Sequence, residues 1–122
     1  MDYSGETFDS QWNGDHLYVH GKKWGKDALP LLKIVLDAAI SQGGFSITWD
    51  LRHLERPPFL EWFSVLSFVD KNKKRLDRWT DKVVLLVAPR FARWWTKLLE
   101  TAGPTCTYLV TTEANEAKFF MS

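Results

Sequence analysis

Val83-Val84-Leu85-Leu86-Val87-Ala88 is apolar at every position and ends at Pro89. A strand with no polar face needs cover on both sides, and in a parallel sheet its neighbours are reached through helical crossovers. The surrounding segments have that character. Between Asp27 and Gly43-Gly44, Leu32, Val35, Leu36, Ala39 and Ile40 recur at helical spacing, with Asp27 placed to cap the first turn and Pro30 inside it. Pro57-Pro58 opens a second stretch of this kind, carrying Phe59, Trp62, Phe63, Val65, Leu66 and Val69. A third, from about Arg90 to Thr101, gathers Phe91, Trp94, Trp95, Leu98 and Leu99 and stops at Gly103-Pro104.

Strand patterns fill the gaps. Phe45 to Leu51 alternates with period two and is rich in aromatic and β-branched residues, and Cys106 to Val110 reads as a last strand. Thr7 to Trp12 and His16 to His20 flank Asn13-Gly14, a pair suited to a tight hairpin turn. In the second of these runs Leu17 and Val19 alternate with the more polar His16, Tyr18 and His20. Thr111 or Thr112 can cap a short terminal helix bearing Phe119 and Phe120. The order predicts an α/β fold: a mostly parallel sheet of about five strands, with an N-terminal antiparallel hairpin, right-handed crossovers and about four helices packed on it. Residues 1–6 read as a flexible N-terminal extension and 7–122 as a single domain, since a chain of 122 residues can bury roughly two thirds of its unfolded surface in one core.

Charge and composition narrow the function. Sixteen Lys+Arg against fifteen Asp+Glu give a net charge of +1, so the whole molecule has no long-range pull toward nucleic acid or acidic membranes. The single cysteine, Cys106, has no internal disulfide partner, no Asn-x-Ser/Thr sequon occurs, and no apolar run approaches the roughly 20 residues of a membrane span. A cytoplasmic location without a transmembrane segment is expected. Lys71 to Arg78 holds five cations against one acid, the charge that suits a helix C-terminus or, alternatively, an anionic surface.

Catalytic chemistry finds little footing. His16 and His20 share a strand face but lie roughly 13 Å apart at strand rise, too far to share one metal ion, so no metal site is expected. Cys106 has no histidine placed to activate it, and no glycine-rich phosphate loop appears, so neither a cofactor nor a conventional enzyme is expected. The chemistry-bearing residues that do gather follow strands. Arg52, His53, Glu55 and Arg56 come just after the strand ending at Leu51, and Arg90 just after the next, at the carboxyl edge where open α/β sheets place their sites. Such cations suit an anion or an acidic partner loop. A solvated turn whose ion pairs contribute about 0 to 1 kcal/mol each is the plainer alternative.

Leu17-Tyr18-Val19-His20-Gly21, the strand and Asp-Leu-x-x-Leu turn of Ile47-Thr48-Trp49-Asp50-Leu51-Arg52-His53-Leu54, and Ala88-Pro89-Arg90-Phe91 with Trp94 or Trp95 are the segments that resemble a known family. Over roughly residues 14 to 120 the chain resembles the STAS family of anti-sigma-factor-antagonist-like domains, especially its SpoIIAA-like branch, which is structurally close to the lipid-binding CRAL-TRIO fold. The resemblance implies a regulatory domain that works by binding protein. Classical members carry a phosphorylatable Ser or Thr after the turn; here the equivalent stretch is Glu55-Arg56-Pro57-Pro58-Phe59-Leu60-Glu61, without a hydroxyl, so a phosphoserine switch is not expected.

Together these features predict a non-enzymatic STAS-like regulatory or protein-interaction domain that engages a protein partner, or a second copy, through Arg52, His53, Glu55, Arg56, Pro58, Phe59, Trp62 and Arg90. Phe59 and Trp62 would be its apolar anchors and the charges would set orientation. The alternative is a small carrier of a lipid or other hydrophobic molecule, its pocket walled by Phe63, Phe91, Trp94 and Trp95.

Overall fold

The computed structural model describes residues 3–23, 25, 30, 33–34, 37–38, 41–54, 67, 70–74, 78, 80–102 and 107–122. They form a mixed α/β fold around one sheet. Its strands are β1 (Tyr3–Ser4), β2 (Phe8–Asn13), β3 (His16–Gly21), β4 (Phe45–Leu51), β5 (Thr80–Val87) and β6 (Thr107–Thr111). Pairing is antiparallel from β1 to β3 and parallel from β3 to β6. The sixth strand beyond the expected five is β1, inside the segment read as a loose extension, where Tyr3 and Ser4 pair with Ser10 and Asp9.

Two helices are described from end to end, against the four that the pattern predicts: α1 (Ala92–Ala102), entered through a 3-10 turn at Pro89–Phe91, and α2 (Ala114–Met121). Elsewhere Pro30, Lys33, Ile34, Asp37, Ala38 and Ser41 are helical, as are Ser67, Asp70 to Lys74 and Arg78. The basic residues Lys71, Lys73, Lys74 and Arg78 are exposed on that helical stretch. Pro57-Pro58, Gly103-Pro104 and Cys106 lie outside the described residues.

The hairpin tip is displaced by one residue from the sequence expectation. Asn13 still pairs with His16, and the two-residue loop is Gly14-Asp15, with Gly14 at φ 65°, a value its missing Cβ permits. The Asp15 carbonyl accepts the Ser46 N–H at 3.0 Å, tying the hairpin tip to the start of β4. At the C-terminus neither threonine caps α2 directly. Thr111 Oγ1 instead accepts the Glu113 N–H at 3.1 Å in the turn leading to it.

Strand order follows chain order across the whole described sheet, with no reversal. One face carries the main core, in which Phe8, Leu17, Val19, Ile47, Leu51, Val83, Leu85 and Val87 meet Trp95 of α1, with Trp94, Leu98 and Leu99 packed around them. Phe91, Trp94 and Trp95 thus belong to this core and its margin; Phe63 lies outside the described residues. On the other face α2 lies against β5 and β6. Lys82 donates from Nζ to the Phe120 carbonyl at 3.1 Å, and Val84 and Leu86 are buried. The doubly apolar β5 therefore has cover on both sides, from different elements.

Gly21 ends β3 where the chain has no room for a side chain: a Cβ there would stand 2.7 Å from Leu54 Cδ1 and 3.3 Å from Leu54 Cγ. Leu54 is itself buried in the core and cannot swing away without leaving a void. Gly21→Val is expected to destabilise the fold by about 1–3 kcal/mol in urea denaturation, and by less in a Leu54→Ala background. Additive costs would show that the two residues do not compete for this space.

Candidate functional site

Alternation along β2, β3 and β4 sends every residue of three short series to the same side of the sheet. The register aligns Asp9 with His20 and Asp50, Gln11 with Tyr18 and Thr48, and Asn13 with His16 and Ser46. These nine side chains are all polar, and they occupy the face opposite the main core. The alternation of β3 and of β4 is legible in the sequence; only the register shows that β2, β3 and β4 turn these polar residues to one face.

Hydrogen bonds cross this face diagonally. His16 Nε2 and Thr48 Oγ1 share one at 2.7 Å, and one row on the Tyr18 hydroxyl donates to Asp50 Oδ2. Arg52 then closes on the same carboxylate. Its Nε donates to Oδ1 at 2.9 Å, its Nη2 to Oδ2 at 2.8 Å and its backbone N–H to Oδ1 at 3.3 Å. Leu54 N–H donates to the Leu51 carbonyl at 3.1 Å, so residues 51 to 54 make a tight turn with both leucines buried and Arg52 and His53 directed outward.

Charge follows from this geometry. Burial by itself would raise the Asp50 pKa, but hydrogen bonds from Arg52 and Tyr18 outweigh it and bring the carboxyl down to about 2. Burial and the same carboxylate push the Tyr18 hydroxyl up to about 12, so it stays a donor throughout the ordinary range. Burial lowers the His16 pKa, partly opposed by Asp15, which favours the neutral ring beside Thr48.

A second cluster continues from Asp50 to the edge. His20 and His53 stand edge to face with ring centres 5.3 Å apart. On the far side of His20, its Nδ1 lies 3.9 Å from Asp9 Oδ2. Asp9 also receives Lys22 at 3.0 Å and the Ser4 hydroxyl at 2.9 Å, and the Lys22 hydrogen bond lowers its pKa. The turn after β5 adds Arg90, whose guanidinium lies 4.9 Å from the centre of the Phe91 ring.

Of the residues expected at this edge, Arg52, His53 and Arg90 follow adjacent strands as anticipated, whereas Glu55, Arg56, Pro58, Phe59 and Trp62 lie outside the described residues. The edge differs from the crevice of a doubly wound sheet. With strand order never reversing among the described strands, no switch point opens, and the cluster sits on a sheet face and its rim. Tyr18, Thr48 and Asp50 are the members that sequence reasoning left out, although period-two alternation of polar residues in β4 was their signal. No family model, no curated protein and no solved structure matches this chain.

The Asp50 carboxyl yields a sign that solution work can read. Its folded pKa of about 2 lies below the ordinary 3.8, so its contribution, about 2 kcal/mol, is complete above pH 4 and is lost as pH falls toward 2. Arg52→Met is expected to leave burial less opposed and move this loss to higher pH, while Asp50→Asn removes it. Urea denaturation across pH 2–6 checks both, and an unchanged acid limb in Arg52→Met would separate Asp50 from Arg52 energetically.

Proposed function

We propose that this chain is a non-enzymatic, STAS-like interaction domain that binds an acidic segment of a protein partner at the carboxyl edge of the sheet. The observation that carries this reading is the clamped turn: Asp50, with its side chain 2% exposed, fixes Arg52 by three hydrogen bonds, while the Arg52 side chain stays 42% exposed and His53 is exposed beside it. A recognition turn held in one conformation loses little entropy on binding.

Cations follow each of three consecutive parallel strands, as Lys22 and Lys23 after β3, Arg52 with His53 after β4, and Arg90 after β5. Lys22 and Lys23 are engaged by Asp9 and Glu6, whereas Arg52 uses Nε and Nη2 on Asp50 and, being partly exposed, presents Nη1 to an incoming carboxylate. The rim therefore offers donors to carboxylates, and electrostatic complementarity sets orientation and encounter rate.

Selection from a random peptide display library tests this directly. Enriched sequences are expected to be rich in Asp and Glu, to lose affinity as salt rises, and to bind the His53→Glu/Arg90→Glu double variant at least about tenfold more weakly. Enrichment of basic or purely apolar peptides, or indifference to the double variant with its fold intact by circular dichroism, would overturn the reading.

A further inference from the structure

We propose that β6 is a dimerisation edge, at which two copies of this chain join antiparallel, β6 to β6, about a two-fold axis at Leu109. The self-complementarity of Thr107-Tyr108-Leu109-Val110-Thr111 carries the inference. Antiparallel pairing about Leu109 sets Thr107 opposite the partner's Thr111, Tyr108 opposite the partner's Val110, and Leu109 opposite its own copy. Thr–Thr and aromatic–β-branched pairs are among the cross-strand combinations that stabilise a sheet. No like charges meet along the strand, because it carries none.

The edge is open to such a partner. β6 is the outermost strand of the described sheet, and among the described residues nothing pairs with its outer side. Edge strands are ordinarily guarded by a charge, a proline, a bulge or brevity. β6 has none of these over its five residues, and its register with β5 runs unbroken from Lys82 and Thr107 to Leu86 and Thr111. The opposite edge, by contrast, ends in β1, only two residues long. Thr107 is exposed, and Tyr108, Leu109 and Val110 are half-buried although Tyr108 and Val110 border the main core. Apolar side chains left partly open in this way are what a strand with one neighbour shows, and a second strand about 4.8 Å away covers them.

The helices fit the same symmetry. A two-fold perpendicular to the sheet keeps each face on its own side, so α2, which lies against β5 and β6, comes beside its counterpart. A helix seated between two strands about 4.8 Å apart stands about 5 Å from the axis, which places the two α2 helices about 10 Å apart, at the upper end of ordinary helix packing. Phe119, 83% exposed on α2, adds apolar surface beside the junction. Each copy has one β6, so the assembly closes at two. The carboxyl rims then point to opposite ends of the joined sheet, and the proposal is independent of the acidic-partner reading.

Sedimentation equilibrium and hydrogen exchange on the full chain test it. A species of twice 14.2 kDa is expected to form between about 3 and 300 μM, with amide exchange in residues 107–111 slowing over the same range and exchange in residues 51–54 unchanged. Leu109→Lys puts two like charges face to face at the axis and is expected to raise the dimer dissociation constant at least about tenfold; mixing it with Leu109→Glu is expected to restore the dimer. If these variants fail to fold by circular dichroism, exchange in the unaltered protein decides alone. A monomer throughout the range, an open-ended series of larger species, concentration-dependent protection that spares β6, or folded Leu109 variants that dimerise as before would each overturn the proposal.

Discussion

The buried carboxylate of Asp50 is the interaction on which the polar side of this molecule depends. It takes a hydroxyl donor from β3 through Tyr18 and three donors from the following turn through Arg52. An ionised group removed from water is costly unless its lone pairs are met, and breaking one side of such a pair leaves the other exposed to the full penalty. Asp50 consequently fixes the relation of β3 to β4, the shape of the turn from Leu51 to Leu54, and the position from which His53 reaches His20. The two leucines complete the same device from below, because both are buried in the apolar core.

The sheet is divided by chemistry rather than by strand. One face carries the main core, with Ser10 buried among its apolar residues, and meets α1; the other is apolar at Val84 and Leu86 of β5 and Leu109 of β6, where α2 lies, and polar across β2, β3 and β4. Among the described strands the order never reverses, so they form no switch-point crevice of the doubly wound kind. The Asp50 cluster underlies the ridge of polar side chains at the rim.

Much of the fold was legible because it follows from periodicity. The alternation of Phe45 to Leu51 set β4 to the residue, and the continuous apolar run ending at Pro89 located the central β5. Its start was missed: β5 begins at Thr80, three residues before the first valine, because Thr80 is buried and Lys82 is engaged with the Phe120 carbonyl, partners that no local pattern reveals. The hairpin tip moved by one residue for a similar reason, as the pairing of Asn13 with His16 spends Asn13 on the ladder and leaves the positive φ to Gly14. Among the expected edge residues, the cations of the turn suit either an anion or local ion pairs by sequence, and the bidentate bond of the Arg52 guanidinium to Asp50 is decided by the fold.

By itself the sequence determined the α/β class, the apolar face of each strand, the N-terminal hairpin and the turn that presents Arg52 and His53, because each of these is set by residues close together in the chain. Tertiary structure alone decided which rows of polar residues share a face, that Tyr18 reaches Asp50 across 32 positions of sequence, and that His20 meets His53 rather than His16. Those outcomes depend on strand register, and a shift of one residue between β3 and β4 would send the whole polar series to the other side of the sheet.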